Sequence, residues 1–223
     1  MKARITFFFF VVCILAFFHV SAQTNNDLLI TWHANNFVPV DFSGKAIPTN
    51  GNIVDVSVEL LVNKKIQNIS GATISWFVDG TFFNKGVGMK EFSFPVTKVG
   101  RSSHSVRAVV QTKTTKYEGL VSIPVFNPIT VIENKNPTGI VSSGDQVNLR
   151  ILPYFFNIVS QSDILVSWKI NNETRSDVRD SALTLNIGSP KTDAQRTMTI
   201  EAFVQNINNK IESAKEKITL LIH

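Results

Sequence analysis

Residues able to do chemistry are few and widely spaced in this 223-residue chain. The histidines that follow the first 22 residues are His33, His104 and His223. Metal sites need several histidines or carboxylates at short intervals, and calcium loops need dense Asp, Asn and Gly. Asp79 in "VDG" and the pair Asp177 and Asp180 in "DVRD" build neither pattern. We therefore predict no metal site, no cofactor and no catalytic residue.

Enzyme signatures and a nucleic-acid-binding charge pattern are both missing from the sequence. No G-x-S-x-G, phosphate loop or Ser-His-Asp spacing occurs. The paired carboxylates of a glycosidase need not be neighbours in sequence, so a small extracellular hydrolase is the remote alternative. After removal of the leader described below, 20 basic side chains face 17 acidic ones, a net charge of +3. This scattered charge predicts no nucleic-acid partner, because such partners require a clustered basic face.

The first 22 residues have the pattern of a signal peptide. Lys2 and Arg4 precede the apolar run "FFFFVVCILAFF" (residues 7–18), and "VSA" ends at Ala22, where we expect cleavage. This run of 12 residues is shorter than the roughly 20 that span a bilayer, although retention as an anchor is the alternative. Cys13, the single cysteine, lies inside the run, which rules out disulfides in the mature chain. We predict a secreted, extracellular or cell-envelope protein.

Nearly every later segment alternates apolar and polar residues with the period of a β-strand. "VDVSVELLV" (residues 54–62) sets five apolar residues on one face, and similar segments follow through the whole chain. The strand pattern occurs twice in the same order at offsets of 91 to 97 residues, with Trp76 in "TISWFVDG" matching Trp168 in "ILVSWKINN". Asp79-Gly80 and Asn171-Asn172 then form equivalent hairpin turns. This repeat predicts two tandem domains, residues 23–126 and 127–223.

About seven short strands per hundred residues, with a tryptophan on the third or fourth strand, are typical of an immunoglobulin-like sandwich. The predicted fold class is all-β, with two tandem immunoglobulin-like β-sandwich domains after the signal peptide. Register places Trp76 and Trp168 in the two cores, as structural pins rather than sugar platforms. Ala108 and Ala202 stand where antibody domains place a cysteine. The resemblance to polycystic-kidney-disease-type and fibronectin-III-type modules is at the level of architecture.

The segments "TWHANNFVPVDFSGKAIPTNGN", "ISWFVDG", "PYFFN" and "VSWKINN" resemble uncharacterised two-domain secreted proteins of small-genome (candidate-phyla) bacteria. This resemblance implies a bacterial surface protein and brings no activity to carry over. Members of that group often carry a C-terminal membrane helix, whereas this sequence ends at "ITLLIH". We expect no stable transmembrane anchor once the leader is cleaved.

Aromatic residues in irregular segments are the best candidates for a contact surface, because loop aromatics anchor partners. The candidates are Trp32, Phe37, Phe42, Lys45, Tyr154, Phe155 and Phe156. The same residues could instead seal the end of one domain or pack between the two domains. The sequence favours a non-catalytic binding or spacer protein whose partner is a protein or glycan at the cell surface. The alternative is a structural subunit of an envelope or pilus-like assembly, with the edge strand "KEKITLLI" completing a partner's sheet.

Overall fold

The computed structural model describes residues 26–136, 138–175, 180–190 and 196–223, so the predicted signal peptide and Asp177 lie outside it. The first eight strands are β1 (Asn26–Ala34), β2 (Ile53–Val62), β3 (Lys65–Gln67), β4 (Thr73–Val78), β5 (Thr81–Val87), β6 (Glu91–Pro95), β7 (Ser102–Gln111) and β8 (Lys116–Val125). The next eight are β9 (Ile129–Asn134), β10 (Ile140–Val141), β11 (Gln146–Tyr154), β12 (Ile164–Ile170), β13 (Glu173–Arg175), β14 (Ala182–Asn186), β15 (Thr197–Asn206) and β16 (Ser213–Ile222). A 3₁₀ turn, Gln161–Asp163, precedes β12.

These strands form two sandwiches, which confirms the predicted all-β fold of tandem immunoglobulin-like domains. In the first sandwich β1, β3 and β6 pair with β2, and the opposite sheet has the order β5-β4-β7-β8. In the second sandwich the sheet β14-β11-β9 faces the sheet β10-β16-β15-β12-β13. The arrangement of two sheets, one built around β2 or β11 and one around the tryptophan strand, is that of the immunoglobulin fold.

The alternation seen in the sequence sets the two faces of each strand. In β2 the side chains of Val54, Val56, Val58 and Leu60 are buried, and those between them point outward. The first core ends at Val125 along the chain, and the second core begins at Ile132. The domain bounds at residues 126 and 127 stay a prediction, which this separation of the cores supports.

The turn after each tryptophan strand is the same in both sandwiches. Asp79 and Gly80 have φ values of 51° and 80°, and Asn171 and Asn172 have 49° and 70°. Positive φ at both central residues is the two-residue hairpin turn that suits the twist of β-strands. The side chain of the first turn residue accepts a backbone hydrogen bond from β7 or β15, from Ser105 N to Asp79 Oδ1 or from Thr199 N to Asn171 Oδ1, each at 2.9 Å.

Within the described residues, no helix is both long enough and apolar enough to cross a membrane. A single cysteine in the sequence leaves the fold without an internal disulfide. Stability therefore comes from the two cores and the strand ladders.

Candidate functional site

The two tryptophans are interior residues of the sandwiches. Both side chains are 0% exposed. Trp76 Nε1 donates a hydrogen bond of 3.0 Å to the carbonyl oxygen of Met89, and Trp168 Nε1 donates one of 3.0 Å to the carbonyl of Asp180. Each indole thus ties its own strand to the segment that leads into β6 or β14. A buried ring with its N–H satisfied within the fold offers no platform for a sugar.

Most of the predicted contact residues meet each other at a joint between the sandwiches. The backbone of Phe37, in the loop after β1, forms an isolated antiparallel bridge with the segment after β11. Phe37 N donates to the carbonyl of Phe156 at 2.8 Å, and Phe155 N donates to the carbonyl of Phe37 at 2.7 Å. Phe155 has a φ of 64°, an uncommon conformation for a bulky residue. The joint therefore holds a strained backbone in place through contacts with the other sandwich.

Buried polar side chains complete the joint. Asn36 Nδ2 donates to the carbonyls of Ile47 at 2.6 Å and Phe155 at 3.2 Å, and Thr49 Oγ1 donates to the same Phe155 carbonyl at 3.1 Å. From the second sandwich, Asn157 Nδ2 donates to Thr49 Oγ1 at 3.1 Å. Asn36 and Thr49 are both buried. Each bond of this kind contributes about 0.5–1.5 kcal/mol, and a buried group left unpaired would cost more.

Aromatic rings pack beside these hydrogen bonds. Phe42 lies edge-on to Tyr154 and Phe155, with ring centroids 5.5 and 5.8 Å apart. Phe156 is 0% exposed and belongs to the second core, the position that the packing alternative predicts for it. The bridge to Phe37 fixes its backbone, and its ring fills the second sandwich. The loop aromatics of the two halves thus serve as each other's partners.

Trp32 and Lys45, the remaining candidates, contact each other within the first sandwich. The Lys45 Nζ lies 3.4 Å from the centre of the Trp32 ring, and this ring packs against the first core. Partial burial lowers the pKa of the Lys45 ammonium group. A cation over an indole face contributes about 0.5–1 kcal/mol at an exposed site. The pair closes the loop after β1 over its own strand.

A second candidate surface, which the sequence analysis missed, is an apolar row on the outer face of the sheet β5-β4-β7-β8. We call this row the aromatic face. It consists of Phe82, Phe77, Arg107 and Leu120, which stand side by side on the four strands. Phe82 is 57% exposed and Leu120 is 68% exposed. Exposed aromatic and Arg side chains in one patch have the composition of binding hot spots.

Two contacts hold the side chain of Arg107 against the aromatic face. Its guanidinium lies 3.9 Å from the centre of the Phe77 ring, and Phe77 in turn meets Phe82 edge-on with centroids 5.9 Å apart. Arg107 Nη1 also donates to Glu118 Oε1 at 2.9 Å. That hydrogen bond is the main reason why the pKa of Glu118 is lowered. The guanidinium is thus fixed before any partner arrives, which reduces the entropy lost on binding.

The corresponding row of the second sandwich is polar and charged. Register places Thr174, Lys169, Glu201 and Lys217 on the positions of Phe82, Phe77, Arg107 and Leu120. Lys215 Nζ lies 2.8 Å from Glu201 Oε2. A hydrogen bond from Lys215 is the main cause of the lowered pKa of Glu201. The apolar row is therefore not a requirement of the fold, because the fold forms equally well without it.

The edge of β5 carries features that oppose the addition of another strand. A partner of this sheet would therefore contact its outer face rather than this edge. A register shift between Trp76 and Phe77 places a bulge in β5, and Lys85 follows in the same strand. Bulges and lysines on edge strands oppose pairing with another sheet. The signal for this strand in the sequence was the pair Phe82-Phe83, which follows Asp79-Gly80 after one residue, Thr81.

A polar pocket of about 490 Å³ lies on the outer face of β1, β2 and β6. Asp55 and Glu91 both line it, together with His33, Ser57 and Ser93. Hydrogen bonds from Ser93 and Asn35 lower the pKa of Asp55. Glycosidases need one carboxyl whose raised pKa keeps it protonated, and Asp55 has the opposite shift. The pocket offers hydrogen bonds to a ligand but no acid suited to glycoside cleavage at Asp55.

Comparison with known proteins assigns no function to this chain. The sequence matches no protein-family model and no curated protein. Among solved structures, the three N-terminal domains of the bacteriophage RB49 Highly Immunogenic Outer Capsid protein align with 88% of this chain, at a TM-score of 0.45 and 12% identity. The chain covers 59% of that structure's length. The full ectodomain (Ig1–Ig3) of mouse nectin-like molecule 4 aligns with 87% of the chain, at a TM-score of 0.35 and 18% identity, and 66% of its own length is covered.

Titin tandem domains A164–A165 align with 89% of this chain and are covered over 97% of their length, at a TM-score of 0.28 and 8% identity. Similarities this weak give no support to any shared partner. The assignment to tandem immunoglobulin-like sandwiches rests on the strand order and the two cores described above.

Proposed function

We propose that this chain is an exported, non-catalytic binding and spacer protein of the cell envelope or extracellular space. Its two sandwiches form a stiff pair, and its contact surface for a protein or glycan is the aromatic face of the first sandwich. The observation that carries the proposal is the joint, where backbone bridge, buried amides and aromatic rings are shared between the sandwiches. A joint of this kind holds the aromatic face at a constant position relative to the second sandwich.

Export rests on the pattern of the first 22 residues, and the absence of an enzyme role rests on the sparse chemistry of the sequence. The aromatic face supports the binding role, because exposed Phe and Leu around a fixed Arg suit a protein or glycan surface. Phe37, Phe42, Tyr154 and Phe155, which the sequence predicted as contact residues, are proposed to act in the joint instead.

A distance measurement across the joint tests the proposal. In the chain that starts at Gln23, which contains no cysteine, Lys113→Cys and Lys169→Cys place one spin label on each sandwich. Electron–electron double resonance should give one narrow distance distribution. Adding Asn36→Ala and Thr49→Val removes both side-chain donors to the Phe155 carbonyl, and we expect the distribution to broaden.

Asn35→Ala with Thr31→Val is the matched control pair. Asn35 and Thr31 also donate or share side-chain hydrogen bonds, but with Asp55 and Ser57 of the same sandwich. The control should keep the narrow distribution. A broad distribution in the unaltered chain, or an equal width in both pairs, would contradict the spacer role.

A second candidate function is a structural subunit of an envelope or pilus-like assembly. It is favoured by the outer edge of β16, where β10 pairs only with Leu221 and Ile222. Over the rest of β16, no strand of the described residues pairs with that edge. Lys215 and Lys217 lie along this edge strand and oppose pairing with another sheet, which is why this function ranks second. A peptide copy of a partner strand that protects β16 amides from hydrogen exchange would support this second function.

A further inference from the structure

We infer that the aromatic face binds the same face of a second copy, in a face-to-face dimer whose two-fold axis is parallel to the strands. This inference rests on the proposed function, because it names the partner of the proposed contact surface. It follows from the register of the sheet, which fixes how the face would meet itself. Three rows of outward side chains define the geometry, and they are read across β5, β4, β7 and β8 in that order.

The first row is the aromatic face itself. The second row is Lys85, Ser75, Val109 and Glu118, and the third is Val87, Thr73, Gln111 and Lys116. The face thus has a cation at one end of its second row and a carboxylate at the other end. Two copies packed face to face around a two-fold axis can meet in two ways, which differ in the direction of the axis.

An axis parallel to the strands, between β4 and β7, places β5 of one copy against β8 of the other. Lys85 then faces Glu118 of the second copy, and this opposite-charge contact occurs twice. In the first row, Phe82 faces Leu120 of the second copy, and Phe77 faces Arg107. The first two rows of the face are therefore complementary to themselves, in apolar surface and in charge, for this axis.

An axis across the strands places every strand against itself. Centred on the second row, it brings Lys85 against Lys85 and Glu118 against Glu118. Centred on the first row, it brings Arg107 against Arg107. Halfway between the rows, it sets Leu120 against Glu118. Each of these options opposes like charges or buries a carboxylate on an apolar side chain. Halfway between the second and third rows, Glu118 meets Lys116 of the second copy, but the first row then lies outside the contact. The parallel axis is the favoured one, because it buries the first row and pairs opposite charges.

The second sandwich offers no competing surface for this contact. Its corresponding row carries Lys169 and Lys217 around Glu201, and Lys215 lies beside it. This mostly basic surface would face Arg107 and Lys85 of the first sandwich if the two met. Like charges therefore direct the first sandwich towards another first sandwich.

The size of the face sets the expected affinity. Four strands about 4.8 Å apart and three rows about 6.8 Å apart cover roughly 400 Å² on each copy. This is below the usual size of a stable interface, so we expect a weak dimer with a Kd of about 0.1 to 1 mM. Copies held together on one surface would nevertheless pair, because their local concentration is high.

Sedimentation equilibrium of the chain from Gln23, up to about 1 mM, tests the inference at the affinity predicted above. The unaltered chain should form a dimer. Lys85→Glu alone should weaken it about tenfold, the effect of one lost charge contact per half of the interface. Glu118→Lys alone should weaken it at least as much, because it also removes the hydrogen bond that holds Arg107. An equimolar mixture of these two variants should restore dimer formation, because each altered charge then meets its opposite in the other chain.

Lys169→Glu, the same charge change on the second sandwich, is the control and should leave the dimer unchanged. Circular dichroism shows whether each variant is folded, and Leu120→Asp provides a second, independent disruption that leaves both charges in place. A monomer at every concentration would overturn the inference, as would a dimer that resists Leu120→Asp or a mixture that stays monomeric. Such a result would leave the spacer role standing, since that role is tested by the distance across the joint.

Discussion

The two sandwiches share a frame, which consists of the tryptophan strand, its hydrogen bond and the turn that follows it. They differ in the side chains on the outer face of that strand's sheet. In both, a buried tryptophan donates to a carbonyl in the segment that leads into β6 or β14, and the first residue of the turn after it accepts an amide hydrogen bond from β7 or β15. On the outer face, the row of Phe77 and Leu120 in the first sandwich becomes a row of Lys169 and Lys217 in the second. The positions that are alike in both sandwiches are therefore those that the fold requires. The positions that differ are those at which the first sandwich can have acquired a contact surface of its own.

The turns differ in the same way as the faces. The carboxylate of Asp79 binds Lys98 Nζ at 2.8 Å and His104 Nδ1 at 2.7 Å, in addition to the amide of Ser105. Asn171, its counterpart, is a neutral amide that accepts from Thr199. The first sandwich thus adds a charged cluster to a turn that the second sandwich makes without charge. Because the second sandwich forms the same turn without charge, the cluster adds stability to the turn but is not required to form it.

The largest expected effect concerns the shared frame. Trp76→Ala and Trp168→Ala should each lower the free energy of unfolding by about 3–5 kcal/mol, because a large buried ring and its hydrogen bond are lost. Urea denaturation followed by circular dichroism measures both. Similar losses would support the equivalence of the two sandwiches. A loss near zero at either position would break the comparison, since that tryptophan would then lie outside the frame.

Sequence periodicity predicted the fold and the buried tryptophans because burial repeats every second residue in a strand. It could not place the loop aromatics, because Phe37 and Phe156 meet through a bridge between the sandwiches that leaves no local pattern. The aromatic face could not be predicted from the sequence for a related reason. Phe77 and Leu120 are neighbours across strands, and only the register of β4, β7 and β8 brings them into one row. Contacts set by register between distant segments require the structure.

The next effect is the pH dependence of the charged turn. Partial burial alone would raise the pKa of Asp79, but hydrogen bonds from Lys98, Ser105 and His104 lower it to about 2. An Asp with a folded pKa below its unfolded value stabilises the fold above the unfolded pKa and loses that stabilisation as the pH falls. Asp79→Asn should therefore cost about 1–2 kcal/mol near neutral pH, a figure reduced for solvent screening. The difference from the unaltered chain should close between about pH 4 and pH 2.

Asn171→Ala is the matched change in the second sandwich. It removes the bond from Thr199, but it involves no ionisable group, so its cost should be independent of pH. Urea denaturation at several pH values compares the two variants with the unaltered chain. Parallel pH profiles for Asp79→Asn and the unaltered chain would show that the charged cluster adds nothing to the turn.

The smallest expected effect concerns the aromatic face, and it separates a surface kept for binding from one kept for stability. Leu120→Lys gives the first sandwich the residue type that the second sandwich has at Lys217, and Lys217→Leu makes the reverse exchange. Since Leu120 is 68% exposed, the free energy of unfolding should change by less than about 0.5 kcal/mol in either variant. Chemical denaturation measures that change, and sedimentation equilibrium measures self-association, which Leu120→Lys alone should reduce. A loss of stability above about 1 kcal/mol would mean that Leu120 supports the sheet itself, and the difference between the two faces would then reflect packing instead of recognition.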